Sequence, residues 1–179
     1  MAESPAMIER CEDLEAMLEV INDAALAYRG VIAADRWKEP YMPLEELRAE
    51  IAAGVAFWGW RGAGRLEGVM GLQHVADVAL IRHAYTRTAA QGRGIGSALL
   101  EALKRQTQRR LLVGTWKAAG WAIAFYERRG FALVGDEEKS RLLKRYWSIP
   151  ERQIEESVVL ASQAPVSHAP RGACRKSND

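Results

Sequence analysis

The chain has 179 residues, of which 49% are hydrophobic and 27% charged, as is typical of a globular domain. Its net charge of +2 provides no strong field for nucleic acid, and two cysteines indicate neither a disulfide framework nor a cysteine-based metal site. The start of the chain lacks the basic and apolar regions of a signal peptide, and no long apolar run occurs. We therefore expect a cytoplasmic protein with no membrane span, no metal and no nucleic-acid partner.

Hydrophobic periodicity, with glycine and proline at the breaks, divides the chain into helices and strands. Apolar residues three or four apart indicate amphipathic helices, and short apolar runs between turn residues indicate strands. The first half is predicted to contain a strand over 7–10, a helix from Leu14 to near Gly30, a helix over 43–54, a hairpin over 55–75 and a strand over 77–87. The last of these carries apolar residues on both faces, so we place it at the centre of a sheet.

The second half continues with helices and strands in turn, up to a polar segment that contains proline and glycine. Its predicted elements are a helix that begins at Ile95, a strand over 110–116, a helix over 121–130, a strand over 131–135, a charged helix over 136–153 broken near Pro150, and a strand over 155–161. This order indicates an α/β fold on one mixed sheet. We expect a single domain over residues 1–161 and a disordered tail over 162–179.

The stretch QGRGIGSALL, residues 91–100, places three glycines where a helix begins. Backbone N–H groups at a helix start have no helical partner, and glycines let them converge on an anion such as a phosphate. The alternative is that the glycines only allow a tight turn from strand to helix. The stretch is not a P-loop, because Ser97 rather than lysine follows Gly96. It is not a dinucleotide fingerprint either, because Ser97 or Leu99 falls where the third glycine belongs.

A second stretch, WAIAFYERRGF over residues 121–131, lies on the helix after the next strand. Together the two stretches resemble the two signatures of the GNAT superfamily of acetyltransferases, and the resemblance extends over roughly residues 7–160. It implies the GNAT fold, which has one mixed, mostly antiparallel central sheet of about six to seven strands. Helices cover both faces of that sheet, and two parallel strands splay apart at its centre. It also implies acetyl-CoA as the co-substrate.

The resemblance implies which residues bind CoA. Amides of the glycine loop would contact the pyrophosphate, and a basic side chain there would add a charge-assisted hydrogen bond. The loop residues are Gln91, Gly92, Arg93, Gly94, Ile95 and Gly96. Backbone groups at the end of the preceding strand would pair with the pantetheine arm, at Ala84, Tyr85 and Thr86. Ala119 stands where family members often have a CoA-binding asparagine, so only its backbone remains for that contact.

Tyr126 occupies the position of the family tyrosine near the CoA sulfur, where it would donate a proton to the leaving thiolate. The alternative is that Tyr126, as an aromatic residue on a helix face, is only part of the core. The general base is less evident. Several family members carry it on the strand before the glycine loop, and those positions are Leu80 and Arg82 here. Since neither can act as a base, His74 at the end of the preceding strand is the first candidate, acting through a water. Further candidates lie in the loop and second helix that usually border the acceptor pocket, namely Glu39, Glu45 and Glu46.

Strand alternation would put Arg82, Ala84 and Thr86 on one face. His83 would lie on the opposite face, in a structural role. A charged Arg82 facing the site suits an acceptor with a carboxylate or phosphate; alternatively, it points to solvent or forms a structural ion pair. Three aromatic residues flank the segment that covers the acceptor in this fold and are candidates for its pocket, namely Tyr28, Trp37 and Tyr41.

We therefore predict an N-acetyltransferase that moves the acetyl group of acetyl-CoA to a primary amine of a small molecule, by direct attack in a ternary complex. An anionic acceptor such as an amino acid would suit Arg82. Two alternatives stay open: a non-catalytic module that senses acyl-CoA, and an acetyltransferase for protein lysines or N-termini. The family also suggests a homodimer.

Overall fold

The computed structural model describes residues 7–62 and 64–163 and contains one seven-stranded sheet. In chain order, its strands are β1 (Met7–Arg10), β2 (Ala56–Gly62), β3 (Arg65–Val75), β4 (Val78–Thr86), β5 (Arg110–Trp116), β6 (Phe131–Leu133) and β7 (Ser157–Ser162). Across the sheet they are ordered β1-β2-β3-β4-β5-β7-β6, and every neighbouring pair is antiparallel except β4 with β5. The prediction of a mixed, mostly antiparallel sheet is confirmed.

The strands are connected by helices that follow the predicted order. Within the described residues these are α1 (Leu14–Ala25), α2 (Leu44–Ala52), α3 (Ile95–Lys104), α4 (Gly120–Glu127), α5 (Asp136–Tyr146) and α6 (Glu151–Glu155). A 3-10 turn, Leu26–Tyr28, continues α1 towards the predicted end near Gly30. The predicted break near Pro150 is confirmed, because that residue precedes α6.

Several predicted boundaries shift by one to three residues. β6 ends at Leu133, and β7 extends to Ser162, which pairs with Phe131. Residues 1–6 of the predicted domain and 164–179 of the predicted tail lie outside the described residues. Within the described part of the chain, no helix is long and apolar enough to cross a membrane.

Helices cover both faces of the sheet, as predicted. α3 and α4 pack on one face, where Leu99 and Tyr126 are part of the core. On the other face, Met17 from α1 and Leu47 from α2 pack over β2 and β3. Leu143 from α5 packs on that same face over β4, β5 and β7. The central strands are therefore buried on both sides, which explains why β4 begins as an uninterrupted apolar run.

The two parallel strands separate halfway along their length. The last parallel pair joins Ile81 of β4 to Val113 of β5. Beyond it, β4 pairs with β3 as far as Thr86, and β5 pairs with β7 as far as Trp116. The backbone edges that face each other across this gap have no strand between them, so the predicted splayed centre is confirmed.

A β-bulge lies in β4 just after the strands separate. Val69 is opposite Tyr85 and Gly71 is opposite Arg82, so β4 contains one more residue than β3 over this interval. His83 is in the bulge, with φ at +50°. A bulge residue changes which face the residues after it occupy, and the simple alternation used for the prediction does not allow for it.

The predicted grouping of β4 side chains is therefore wrong. Ala84 packs with the core under α3, and the Thr86 hydroxyl approaches the start of that helix. Arg82 instead reaches Glu50 of α2 on the opposite face. His83, expected opposite Arg82, reaches the same carboxylate.

Candidate active site

A cavity of about 450 Å³ lies where β4 leaves β5. Its walls come from the end of α1, the second half of β4, the glycine loop, the start of α3 and the length of α4. Eight of the predicted CoA-binding residues line it, together with Tyr28 and Tyr126. The eight are Ala84, Tyr85, Thr86, Gln91, Gly92, Gly94, Ile95 and Gly96. The fold thus brings residues from four separate segments to one cleft.

The glycine loop presents unpaired amides to this cavity. Gly92 and Gly94 have φ values of +76° and +81°, and Gly94 forms the N-cap of α3 without a side-chain hydrogen bond. Among the described residues, no carbonyl accepts a hydrogen bond from the amides of residues 92–97. No atom lies within 4 Å of where a Cβ on Gly92 or Gly94 would be, so the space above the loop is open. Open amides at the positive end of a helix dipole form an anion site.

The Arg93 side chain does not line the cavity. Its Nη1 lies 3.1 Å and 3.2 Å from the two carboxylate oxygens of Glu67, a residue of β3 that is only 4% exposed. The ion pair holds the loop against the sheet and neutralises the buried carboxylate. In this arrangement the guanidinium is engaged by Glu67, and the loop offers backbone rather than side-chain contacts.

Two arginines that sequence reasoning missed line the cavity, Arg128 and Arg129. Arg129 Nε donates to Ser97 Oγ at 3.0 Å, Nη1 donates to the Phe125 carbonyl at 2.8 Å, and the guanidinium lies 3.8 Å from the Phe125 ring centre. Among the described residues, no carboxylate lies within ion-pair distance of it. A cation beside the positive end of α3 favours a bound anion. The paired arginines within FYERRGF were the available sequence signal.

Tyr126 faces the cavity from α4 and is 4% exposed. Its ring packs edge-on against Phe125 at 5.0 Å and Phe131 at 5.5 Å, which restricts its position. Burial raises the pKa of its phenol well above the usual range, and Tyr28 adds to this effect. The phenol therefore stays protonated at neutral pH and can donate. Phe125 also lines the cavity and packs close to Gly96.

An aromatic wall lies along one side of the site: Tyr28, Tyr85 and Trp121 line the cavity, and Tyr41 packs behind Tyr28. Tyr28 stacks on Tyr41 at 5.7 Å, meets Tyr85 edge-on at 6.4 Å and lies 5.7 Å from Trp121. Burial, with Tyr41 alongside, raises the pKa of Tyr28 to about 12. The structure thus brings the predicted Tyr28 and Tyr41 together and adds Trp121, which the sequence reasoning missed.

Two contacts support this wall from behind. Trp37 stacks on Tyr41 at 5.6 Å, and Trp116 Nε1 donates to the Tyr41 hydroxyl at 3.2 Å. Trp37 does not line the cavity itself. The predicted aromatic segment is therefore anchored to β5 at the edge of the gap between the central strands.

Two further predicted site residues, His74 and Ala119, are not brought to the cavity either. His74 is exposed and pairs with Ala79 near the start of β4, five residues or roughly 17 Å of strand from Ala84. Ala119 is fully buried, and its amide donates to the Trp116 carbonyl at 2.9 Å, so that group is engaged within the protein.

Residues 18–144 match the family model for the acetyltransferase (GNAT) domain. The chain is therefore an acyltransferase that acts with CoA. It belongs to the GNAT family, and the resemblance found in its sequence is confirmed. No curated protein sequence matches it.

Solved structures with the same fold come from several organisms. PaiA N-acetyltransferase from Thermoplasma acidophilum, in complex with coenzyme A, is 19% identical, with a TM-score of 0.66 over 89% of this chain and 99% of that one. The ribosomal-protein-S18-alanine N-acetyltransferase from Escherichia coli is 18% identical, with a TM-score of 0.63 over 91% and 98%. IAA acetyltransferase from Bacillus cereus is 20% identical, with a TM-score of 0.59 over 88% and 99%. At these identities the comparison establishes the fold.

Proposed function

We propose that this protein transfers the acetyl group of acetyl-CoA to the primary amine of a small molecule, by direct attack in a ternary complex. The observation that carries the proposal is the single cavity that joins the glycine loop, the free edge of β4, Tyr126 and the aromatic wall. One end suits the phosphates of CoA, the middle suits an extended arm, and the other end suits an apolar amine.

The proposed position of CoA follows from the geometry of the cavity walls. Its pyrophosphate lies on the amides of residues 92–97, with the charge of Arg129 nearby. Its pantetheine arm runs along the edge of β4 from Thr86 towards Ala84, where β5 is no longer paired with that strand. The thioester then lies at the bulge, and Tyr126 faces it from α4.

The acceptor end favours a small apolar amine. Aromatic side chains line this part of the cavity, and no acidic residue lines it in the described part of the chain. An anionic acceptor was expected because of Arg82. That guanidinium lies 2.6 Å from Glu50 and 2.8 Å from Gln73, so its charge is already compensated. We therefore propose an acceptor whose only charged group is its amine.

The reaction requires that the amine loses a proton and that the leaving thiolate gains one. At pH 7, only about one part in 10³ of an alkyl amine with a pKa near 10.4 is neutral, so deprotonating the amine costs roughly 4–5 kcal/mol of free energy. A neutral amine attacks the thioester carbonyl, and free backbone amides at the splayed strand stabilise the oxyanion. The carbon–sulfur bond breaks, and the thiolate takes a proton from Tyr126, whose buried phenol is neutral.

Binding and turnover test the two halves of this proposal separately. Calorimetry should show acetyl-CoA binding, weakened about tenfold or more in Arg129→Leu but not in Arg145→Leu, whose arginine lies on the surface beside Asp77. Thiol release should then be measured with 2-phenylethylamine, glutamate and a lysine peptide. We expect 2-phenylethylamine to react fastest. A preference for glutamate or the peptide would refute the acceptor class, and binding without turnover on any amine would refute the reaction.

A cytoplasmic location and a homodimer stay predictions. Fractionation of cells and light scattering of the purified protein test them directly.

A further inference from the structure

We propose that a ring of four charged side chains positions the aromatic wall and thereby sets the affinity of the enzyme for an aromatic amine. The four residues of this charge ring are Asp35, Arg36, Arg152 and Glu156. The inference rests on the proposed acetyl transfer to an apolar amine. It assigns positioning residues, which act through the wall and do not touch the reacting atoms.

The charge ring joins two segments that are far apart in the sequence. Asp35 and Arg36 belong to the 3-10 turn Ala34–Arg36, whereas Arg152 lies in α6 and Glu156 directly follows that helix. Arg152 binds Asp35 through both ends of its guanidinium, with Nη1 3.0 Å from Oδ2 and Nη2 donating to Oδ1 at 3.2 Å. Arg152 Nε lies 3.7 Å from Glu156 Oε1. Arg36 Nε lies 4.0 Å from Glu156 Oε2 and 4.0 Å from Asp35 Oδ2, so opposite charges alternate around the ring.

This geometry makes the charge ring more effective than a single surface ion pair. An isolated exposed pair contributes little, whereas a bidentate contact within a network of several charges contributes more. One side of the ring is also shielded from solvent, since Arg36 Nε and Glu156 Oε2 are buried and have no hydrogen-bond partner in the described part of the chain. Each of these buried atoms depends on the opposite charge across the ring. The ring therefore holds the turn over residues 34–36 against α6.

The segment after the ring, residues 37–41, depends on side chains for its position. Among the described residues, no backbone hydrogen bond involves this segment. Trp37 directly follows Arg36 and stacks on Tyr41 at 5.6 Å. Tyr41 in turn stacks on Tyr28 at 5.7 Å, and Tyr28 lines the cavity. The charge ring thus supports the aromatic wall through Trp37 and Tyr41.

The charge ring also connects the wall to the end of β5, at the gap between the central strands. The Lys117 amide, directly after β5, donates to the Glu156 carbonyl at 2.8 Å. Trp116, the last residue of β5, donates from its indole to the Tyr41 hydroxyl at 3.2 Å. The segment that carries Trp37 and Tyr41 is therefore fixed to β5 at both of these aromatic residues.

Two other ion pairs on the same segment lead elsewhere. Arg29 pairs with Glu39 at 2.7 Å, which joins the segment to its own start. Lys38 pairs with Glu46, which joins it to α2. Within the described residues, the charge ring is thus the ion-pair contact that joins the segment to α6 and, through Glu156, to the end of β5.

A wall held in this way affects binding of the amine rather than the chemical step. The wall contacts the apolar part of the amine, which changes little between the ground state and the transition state. Loss of such a contact raises KM and leaves kcat unchanged, because it removes the same binding energy from both states. Acetyl-CoA binds at the glycine loop on the opposite face of the sheet, so its affinity does not depend on the ring.

Arg152→Met is the first test, because its side chain is 58% exposed and its loss leaves the core intact. We expect the KM for 2-phenylethylamine to rise about threefold or more, with kcat and acetyl-CoA affinity close to wild type. For ethylamine, which has no ring to contact the wall, kcat/KM should be unchanged. The matched control is Lys144→Met, which removes an exposed ion pair of 2.7 Å with Glu151 in the same part of the chain and should keep the wild-type KM.

Two further measurements identify the contact itself. Asp35→Asn and Arg152→Met remove the same bidentate pair, so the double variant should raise KM by less than the product of the two single effects. Rising ionic strength should raise the KM of the wild-type protein for 2-phenylethylamine and change that of Arg152→Met much less, because salt screens exposed charges.

The outcomes separate this inference from the function on which it rests. If the wild-type protein acetylates 2-phenylethylamine and Arg152→Met has the same KM, the inference fails and the acetyl transfer stands. The same holds if kcat/KM falls equally for ethylamine, or if the effects of Asp35→Asn and Arg152→Met multiply. If the wild-type protein binds acetyl-CoA and acetylates no amine, both fail together.

Discussion

The rings of Tyr28 and Trp121 lie 5.7 Å apart and join the end of α1 to the start of α4 across the cavity. These residues are far apart in the sequence, and each lines the cavity from its own side. Trp121 is 48% exposed, so this contact is at the mouth of the site rather than in the core. We infer that it limits the size of the acceptor.

Shortening Trp121 should therefore change selectivity more than stability. In Trp121→Ala, we expect the KM for 2-phenylethylamine to rise several-fold because an aromatic contact worth about 0.5–1.5 kcal/mol is lost. Larger amines should become relatively better substrates. Steady-state kinetics with amines of increasing size measures both effects. An unchanged order of preference would show that the contact does not limit the acceptor.

The left-handed Gly94 should be needed for both loop conformation and binding. Gly94→Ala places a Cβ at φ of +81°, which costs about 1–2 kcal/mol, and also obstructs the amides at the start of α3. Gly54→Ala has the same kind of strain at φ of +98° but lies outside the cavity. Thermal unfolding should show similar destabilisation in both variants. Calorimetry should show weaker acetyl-CoA binding in Gly94→Ala alone; equal binding would disprove the amide site.

Removing the hydroxyl of Tyr126 should slow turnover without loosening the fold. Tyr126→Phe keeps the ring contacts with Phe125 and Phe131, and we expect kcat to fall by more than about tenfold because the thiolate loses its proton donor. Acetyl-CoA affinity and the unfolding temperature should stay close to wild type. The matched control is Tyr146→Phe, which loses a surface hydrogen bond to Asp77. Wild-type kcat in Tyr126→Phe would mean that this tyrosine only packs.

The contacts of Glu50 with Arg82 and His83 should make the free energy of unfolding depend on pH. The pKa of Glu50 is below its ordinary value in the folded protein, so its stabilising contribution is complete above the unfolded value, about 4.3, and is lost as the pH falls through the folded value. Glu50→Gln should cost about 1.5–3 kcal/mol at pH 7 and flatten that acid dependence. Denaturant unfolding at pH 7, 5 and 3.5 measures it. Glu45 is an exposed glutamate of the same helix, so Glu45→Gln should keep the wild-type dependence of stability on pH.

Sequence reasoning predicted the fold well because its evidence is local. Alternating apolar periods, glycines at turns and Pro150 each act on neighbouring residues, and the elements that they predicted are present. The glycine loop was also predictable, since Gly92 and Gly94 have the positive φ values that glycine readily adopts. The second signature at Tyr126 lies on a helix, as expected.

Side-chain direction within the site was less predictable because it depends on partners distant in the chain. The bulge at His83 exists only relative to β3, and one extra residue moved Arg82 away from Ala84 and Thr86. Arg93 binds Glu67, 26 residues away, instead of facing the cavity. No pattern within β4 or the loop indicates either outcome.

The sequence by itself thus determined the order of elements, the family and the segment that we propose binds CoA, because local backbone conformation and short motifs carry that information. Only the tertiary structure decided which side chains surround the reacting atoms. The strands separate beyond Ile81, and α1 and α4 bring Tyr28 to Trp121. These arrangements depend on register and packing between segments that are distant in sequence, and burial of both faces of the sheet fixes them.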